Sequence, residues 1–355
     1  MQSLLIKLYL AASLAVGIPA VSVPRVSQPP AIQLPVNMVV SLDEIGTYFE
    51  RIVPRPNGDF LVTQLEKHAL IWLLKGAGSP DAHLTLLHNF TESTGLLGVV
   101  PVGYDSYIIT AVSWYAFLDP VPNTTVIWEV QFKNPASDRF SLREVAEIPA
   151  AGLLNGVLTL AQDPTVALFG DSVNGQVLRL DVTTGENEVV LDIPELHYTP
   201  ESVINVGVNG VHIRNGHLYW SNSGRETYYR IAIDRNGYPR EGAQPEALAT
   251  VSGYPLDDFS FDKQGNIWGL SPISNSAFVV YKGLDPRHEY ETVQFVAGGL
   301  NSSEVAGPTA STWGLGAQSH LLYVTTTGGY LAPINGTYLE PAKVLTIDTS
   351  ALYRA

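Results

Sequence analysis

Residues 205–234 read NVGVNGVHIRNGHLYWSNSGRETYYRIAID. An apolar-alternating run over 206–213 stops at Arg214-Asn215-Gly216. A second over 217–222 stops at Ser223-Gly224-Arg225-Glu226, and a third over 227–233 at Asp234-Arg235-Asn236-Gly237. Asn-Gly between alternating runs is the strongest short hairpin signal, because both turn residues tolerate positive φ. The stretch is therefore predicted to be an antiparallel meander of three short strands.

The same cadence recurs along the chain. A first unit carries strands over 49–53, 59–64 and 69–74 around the turn Arg55-Pro56-Asn57-Gly58, and a second carries strands over 103–114 and 125–132. A third opens at Leu154-Asn155-Gly156-Val157 and runs through the turns Asn174-Gly175 and Thr184-Gly185; the quoted stretch is the fourth. A fifth begins at Asp257-Asp258 with the turn Gln264-Gly265, and a sixth at 309–313 with Gly328-Gly329. A repeat of about 45–55 residues with four strands is propeller spacing rather than solenoid spacing. The last strand, 342–348, has no partner in its own unit and is expected to pair with the first, closing the ring and removing an exposed edge. The fold class read here is all-β: one six-bladed β-propeller of four-stranded antiparallel blades over residues 41–355, closed by the C-terminal strand.

Bulk properties narrow the partners. There are 34 acidic and 20 basic residues, net −14, which disfavours nucleic acid and anionic membranes because both attract basic surface. The body of the chain has no apolar run long enough to span a bilayer. Residues 1–20 fit a secretory signal peptide, with Lys7 at the start, an apolar stretch over 8–18, and Ile18-Pro19-Ala20 as the cleavage end. Residues 21–40 read as an extended arm on the domain. Asn89, Asn123, Asn301 and Asn335 each begin an N-glycosylation sequon, consistent with a secreted or vesicular protein. The chain has no cysteine, so an exported fold must rely on its core rather than on disulfides.

In a propeller the innermost strands line the central channel, and function concentrates where a scaffold's loops converge. The corresponding positions here are Glu50-Arg51, Asn155-Gly156, Asn209-Gly210, Asp257-Asp258 and Thr309. Each alone reads as an ordinary turn or strand end. Together Glu50, Asn155, Asn209 and Asp257 form an oxygen-rich ring that suits a hard cation such as Ca²⁺. Arg51, directly after Glu50, competes with such an ion and instead pairs naturally with Glu50 or Asp258. Trp114-Tyr115-Ala116-Phe117, His197-Tyr198 and Trp313 are candidate pocket aromatics, the alternative being core packing between blades. His212 lies within an inner strand and reads as a hydrogen-bonded core residue rather than a ligand. Gly170-Asp171-Ser172 lacks the Gly-x-Ser-x-Gly pattern of a nucleophile turn, and no phosphate loop or dinucleotide fingerprint occurs.

At these residues the chain resembles the regucalcin/gluconolactonase-like six-bladed propellers. The resemblance rests on Asn155-Gly156-Val157 with Asp171-Ser172-Val173-Asn174-Gly175-Gln176-Val177, on Asn209-Gly210-Val211 with Leu218-Tyr219-Trp220-Ser221-Asn222, and on Asp257 with Asp262-Lys263-Gln264-Gly265-Asn266-Ile267-Trp268. It implies a divalent cation on Glu50, Asn155, Asn209 and Asp257 that serves lactone or ester hydrolysis. The chain is more similar to a fungal, secreted branch of hetero-Diels–Alderases. That branch implies a reaction without cofactor, joining a tropolone-derived ortho-quinone methide to a humulene-type sesquiterpene. Glu50, Arg51, Asp257 and Asp258 would then be the catalytic groups, and Trp114, Tyr115, Asn155, Tyr198, Asn209, Thr309 and Trp313 would hold the substrates. A secreted propeller that only binds a ligand is the third reading.

Overall fold

Asn215 and Gly216 both take positive φ, 50° and 71°, so Arg214 and His217 face each other across a two-residue turn. The hairpin read from the sequence thus forms where its turn residues put it. The structure, a computed structural model, describes residues 32–283 and 289–352. The segment read as a leader and arm up to residue 31 lies outside the described residues.

Six four-stranded antiparallel sheets stand around an axis as blades. Their inner strands are Tyr48–Pro54, Gly95–Gly103, Leu154–Leu160, Val208–Arg214, Phe259–Phe261 and Pro308–Trp313, here blades 1 to 6. Gly95–Gly103, the inner strand of blade 2, escaped the sequence reading, which began that unit at residue 103. An added hairpin, Trp114–Ala116 with Asp119–Pro120, rises from the same blade. Helix among the described residues is confined to three short 3₁₀ turns, so no helix is long and apolar enough to cross a membrane.

The inner strands share one irregularity. Pairing with the second strand skips two residues between Phe49 and Ile52, Leu96 and Val99, Leu154 and Val157, Val208 and Val211, and Pro308 and Ser311. Such bulges re-aim side chains out of the ladder. The freed pairs are Glu50-Arg51, Leu97-Gly98, Asn155-Gly156, Asn209-Gly210 and Thr309-Ala310; in blade 5, Asp257-Asp258 sit just ahead of the strand. The glycines are there for space. A Cβ on Gly98 would lie 2.5 Å from the Asn155 carbonyl oxygen, and one on Gly156 only 2.0 Å from that of Asn209. Each glycine lets the next inner strand come close to the axis.

Buried hydroxyls stitch neighbouring blades. Thr63 Oγ1 donates to the Leu97 carbonyl at 2.8 Å, Ser172 Oγ to Val208 at 2.6 Å, Ser221 Oγ to Asp257 at 2.7 Å and Thr309 Oγ1 to Phe49 at 2.8 Å. Between each pair of neighbouring blades lies its own apolar layer, such as Leu168 with Trp220 between blades 3 and 4, and Phe60 with Tyr323 between blades 6 and 1. These layers supply the core that a cysteine-free chain needs.

Ring closure does run through the C-terminal strand, but its partners differ from those expected. Pro341–Asp348 lies beside Leu321–Thr326 of its own blade and, on its other side, pairs with Val36–Ile45, from Val36↔Ile347 to Ile45↔Pro341. The segment read as an arm thus supplies the outer strand of the last blade, and blade 1 stays complete within itself. The reason is edge chemistry: the unpaired outer edge of blade 6 is satisfied by the first strand of the chain.

Candidate active site

The starts of the inner strands converge on a pocket that opens to solvent at one end of the axis. Its floor carries Glu50, Asn155, Asn209, Ser223 and Asp257, and its lower wall Leu97, Leu153, Val206 and Leu256. Phe117 and Leu118, the turn of the added hairpin, reach over the mouth, opposite Ile204, Ile273 and Leu331. Phe117 packs with Tyr48 and Tyr330 at ring separations of 5.6 and 5.5 Å. Leu118 holds φ at 61°, a costly value for a bulky side chain, and strain of this kind tends to persist where surrounding structure fixes a functional shape.

On the floor, the Asn155 side chain favours the charged form of Glu50 and the Asn209 side chain that of Asp257, each against the larger effect of burial. Asn209 Nδ2 also donates to Ser223 Oγ at 3.1 Å, and the Asp258 amide donates to Asp257 Oδ1 at 3.1 Å. Beneath lies a second polar layer. Arg51 Nη1 meets Asp258 Oδ2 at 3.0 Å, and Arg51 Nη2 donates to the Val157 carbonyl at 3.4 Å. On its other oxygen, Asp258 is hydrogen-bonded to His212 Nε2 at 2.9 Å.

Two protonation regimes result. Burial pushes the Glu50 carboxyl up to about 8; Arg51 pulls against this and the Asp258 charge adds to it. Burial, with Glu50 and Asp258 as like-charged neighbours, holds Asp257 well above the usual carboxylate range. Burial works against the Asp258 charge too, but Arg51 and His212 outweigh it and keep that carboxyl below its ordinary value. The floor therefore presents two carboxyls whose burial favours the neutral form, above a third, Asp258, that Arg51 and His212 hold in its charged form.

The structure brings four of the sequence-selected residues, Glu50, Asn155, Asn209 and Asp257, together on the floor. Arg51 and Asp258 lie beneath it, engaged with each other. Thr309 is fully buried, its hydroxyl spent on the Phe49 carbonyl and on Thr325. Trp114 packs behind the mouth in the cluster of Tyr48, Leu65 and Leu97, and Tyr115 is turned to solvent at 71% exposure. Tyr198 is half-buried, packed under Gly224 rather than lining the pocket. Trp313 lies at the far end of its inner strand, edge-on to Trp268, with its N–H donated to the Phe261 carbonyl at 2.7 Å. Leu97, Leu118, Tyr48 and Tyr330 were not selected from the sequence. Leu97 had a signal: Leu97-Gly98-Val99 repeats the cadence of Asn155-Gly156-Val157 and Asn209-Gly210-Val211.

The floor also fits a hard divalent cation. Two carboxylates and two carboxamides supply oxygen donors, and Glu50 Oε2 and Asn209 Oδ1 are buried there without a hydrogen-bond partner.

The six-bladed propeller is the fold of the regucalcin and gluconolactonase-like proteins. Among solved structures the chain is similar to a luciferin-regenerating enzyme (TM-score 0.62, 12% identity, 88% of this chain and 95% of that one). It is also similar to a regucalcin from Agrobacterium tumefaciens (TM-score 0.60, 11% identity, 90% and 95%). At these identities the likeness concerns the fold. Sequence relatives define the family more narrowly. A protein of Sarocladium schorii provisionally named hetero-Diels-Alderase is 31% identical over 334 residues, covering 87% of this chain and 82% of the relative. Another from a Phoma species, with the same provisional name, is 30% identical over 251 residues, covering 64% and 71%. No family model matches the chain. The chain belongs to the hetero-Diels-Alderase family.

Proposed function

We propose that the chain joins a tropolone-derived ortho-quinone methide to a humulene-type sesquiterpene by hetero-Diels–Alder cycloaddition in the mouth pocket. The observation that carries this reading is an apolar funnel standing on two buried carboxyls, Glu50 and Asp257, whose burial favours their neutral form. A terpene offers no polar handle, so apolar walls must hold it, and Leu65, Leu97, Phe117, Leu153, Val206 and Leu256 supply such walls. Tyr48 and Phe117 are the aromatic side chains lining the pocket, and aromatic rings are suited to stacking on a flat tropolone.

Cycloaddition needs positioning above all, and holding both partners in a reactive geometry can supply on the order of 7–11 kcal/mol. A neutral carboxyl adds a hydrogen bond to the quinone methide oxygen, which lowers the energy of its acceptor orbital. Of the floor groups, Glu50 and Asp257 are placed to donate. The same acids suit the preceding step, protonating a hydroxyl so that it leaves as water. Arg51 and Asp258 act as positioning residues: their pair fixes the floor from below, and the Asp258 charge helps keep the two acids protonated.

The partnerless acceptors on Glu50 and Asn209 favour a second reading, in which a divalent cation bound by Glu50, Asn155, Asn209 and Asp257 supports lactone hydrolysis. When bound, such an ion supplies Lewis-acid polarisation of a carbonyl. Chelation separates the two readings. With a quinone methide precursor and a humulene-type sesquiterpene as substrates, adduct measured by liquid chromatography and mass spectrometry is expected to be unchanged in EDTA. Adduct formation that stops in EDTA and returns with Ca²⁺ would replace the metal-free reaction.

A further inference from the structure

The four sequon asparagines are all exposed and all at the pocket end of the propeller. Asn89 closes the outer strand of blade 1 in the row Phe49–Gln64–Leu70–Asn89, level with the Glu50 bulge. Asn123 follows the mouth hairpin of blade 2. Asn301 lies in the connection from blade 5 to blade 6, and Asn335 in the loop that delivers Tyr330 and Leu331 to the mouth. None lies among the turns of the opposite end. The same end carries exposed large apolar side chains: Ile45, Tyr115, Val203, Leu300 and Tyr338. Three of these have a sequon beside them. Leu300 precedes Asn301, Tyr338 shares a β-bridged loop with Asn335, and Tyr115 sits in the hairpin that leads to Asn123. Exposed apolar side chains favour association where they come together, and a glycan beside one covers it.

We propose that N-glycans on Asn89, Asn123, Asn301 and Asn335 form an arc from the blade 5–6 junction through blades 6, 1 and 2. The arc covers the apolar rim and leaves the sector over blades 3 and 4 as the way into the pocket. Each attachment bonds the asparagine side-chain nitrogen to the anomeric carbon of a lipid-pyrophosphate-linked oligosaccharide. The sugar's bond to phosphate oxygen breaks, and the lipid pyrophosphate and an amide proton depart. The open sector holds the loop between Asn187–Asp192 and Val208–Arg214, which places Ile204 and Val206 in the pocket wall and Val203 in solvent.

The test uses the full chain secreted from a fungal host. Intact mass before and after PNGase F is expected to show loss of glycans at these sites. Native deglycosylation of the folded protein is expected to shift its size-exclusion profile to larger species. The Leu300→Ser, Tyr338→Ser double variant should prevent that shift. Pro200→Asn creates the sequon Asn-Glu-Ser in the open sector. Its glycosylated form should make adduct several-fold more slowly, with the rate restored by PNGase F. An unshifted mass, an unchanged elution profile after deglycosylation, or full turnover by the position-200 glycoprotein would overturn the proposal. A wild type without adduct formation would sink the cycloaddition reading instead, while the mass and elution results would still decide this one.

Discussion

Glu50 binds its proton more tightly in the fold, at about 8, than at the ordinary 4.5 of the unfolded chain. Its contribution to stability is thus fully present below about 4.5 and is lost as pH rises through about 8. Thermal melts in EDTA should show stability falling across that interval, and Glu50→Gln should flatten the slope. A slope unchanged by the substitution would mean that the carboxyl is ionised at neutral pH. Asp258 behaves differently, because Asp258→Asn leaves the Arg51 guanidinium buried without a counter-charge. Breaking one side of a buried pair costs about 3–5 kcal/mol, which urea unfolding would detect. At this scale the sequence was informative where chemistry repeats. Glu50, Asn155, Asn209 and Asp257 stand out as polar residues at equivalent places. Leu97 occupies the same place, but an apolar residue in a strand attracts no notice. The division between floor and underlayer was not legible either, because Glu50 and Arg51 are neighbours in sequence and only the bulge sends them to different levels.

The bulged inner strand is the element on which the site depends. Gly156→Ala would set a methyl against the Asn209 carbonyl, which is backbone and cannot swing aside. Overpacking of this kind costs about 1–3 kcal/mol, and the variant should melt earlier and lose adduct formation as the floor opens. An Ala variant that melts like wild type would show that the inner strands have room to separate. The mouth hairpin calls for a different test. Phe117→Ala removes a ring that packs on Tyr48 and Tyr330 at the mouth but leaves the apolar layers between blades in place, so the expected result is a changed distribution of adduct isomers with a modest fall in melting temperature. The aromatic run at 114–117 announced this element. Which of its rings turns inward depends on the Phe117-Leu118 turn and the positive φ of Leu118, a conformation that the residue type argues against.

At the scale of the molecule, the propeller was legible from turn spacing, since each repeat closes with Gly or Asn at positive φ and buries its faces against two neighbours. The identity of the closing strand was not, because strand Val36–Ile45 has no repeat of its own and its burial comes from a blade at the other end of the chain. Removing residues 1–45 should expose the edge of Pro341–Asp348, lower the melting temperature sharply and promote association. A truncated protein that melts like wild type would show that the ring holds without its first strand. The same strand sets a schedule for synthesis. Val36 cannot meet Ile347 until about three hundred further residues have been made. At about 5–20 residues per second this is a wait of roughly 15–60 s. During that interval five blades can assemble in order while Val36–Ile45 remains an unpaired strand. The chain must shield its own beginning until its end arrives, so yield should be limited by whatever guards that segment during synthesis rather than by the stability of the finished ring.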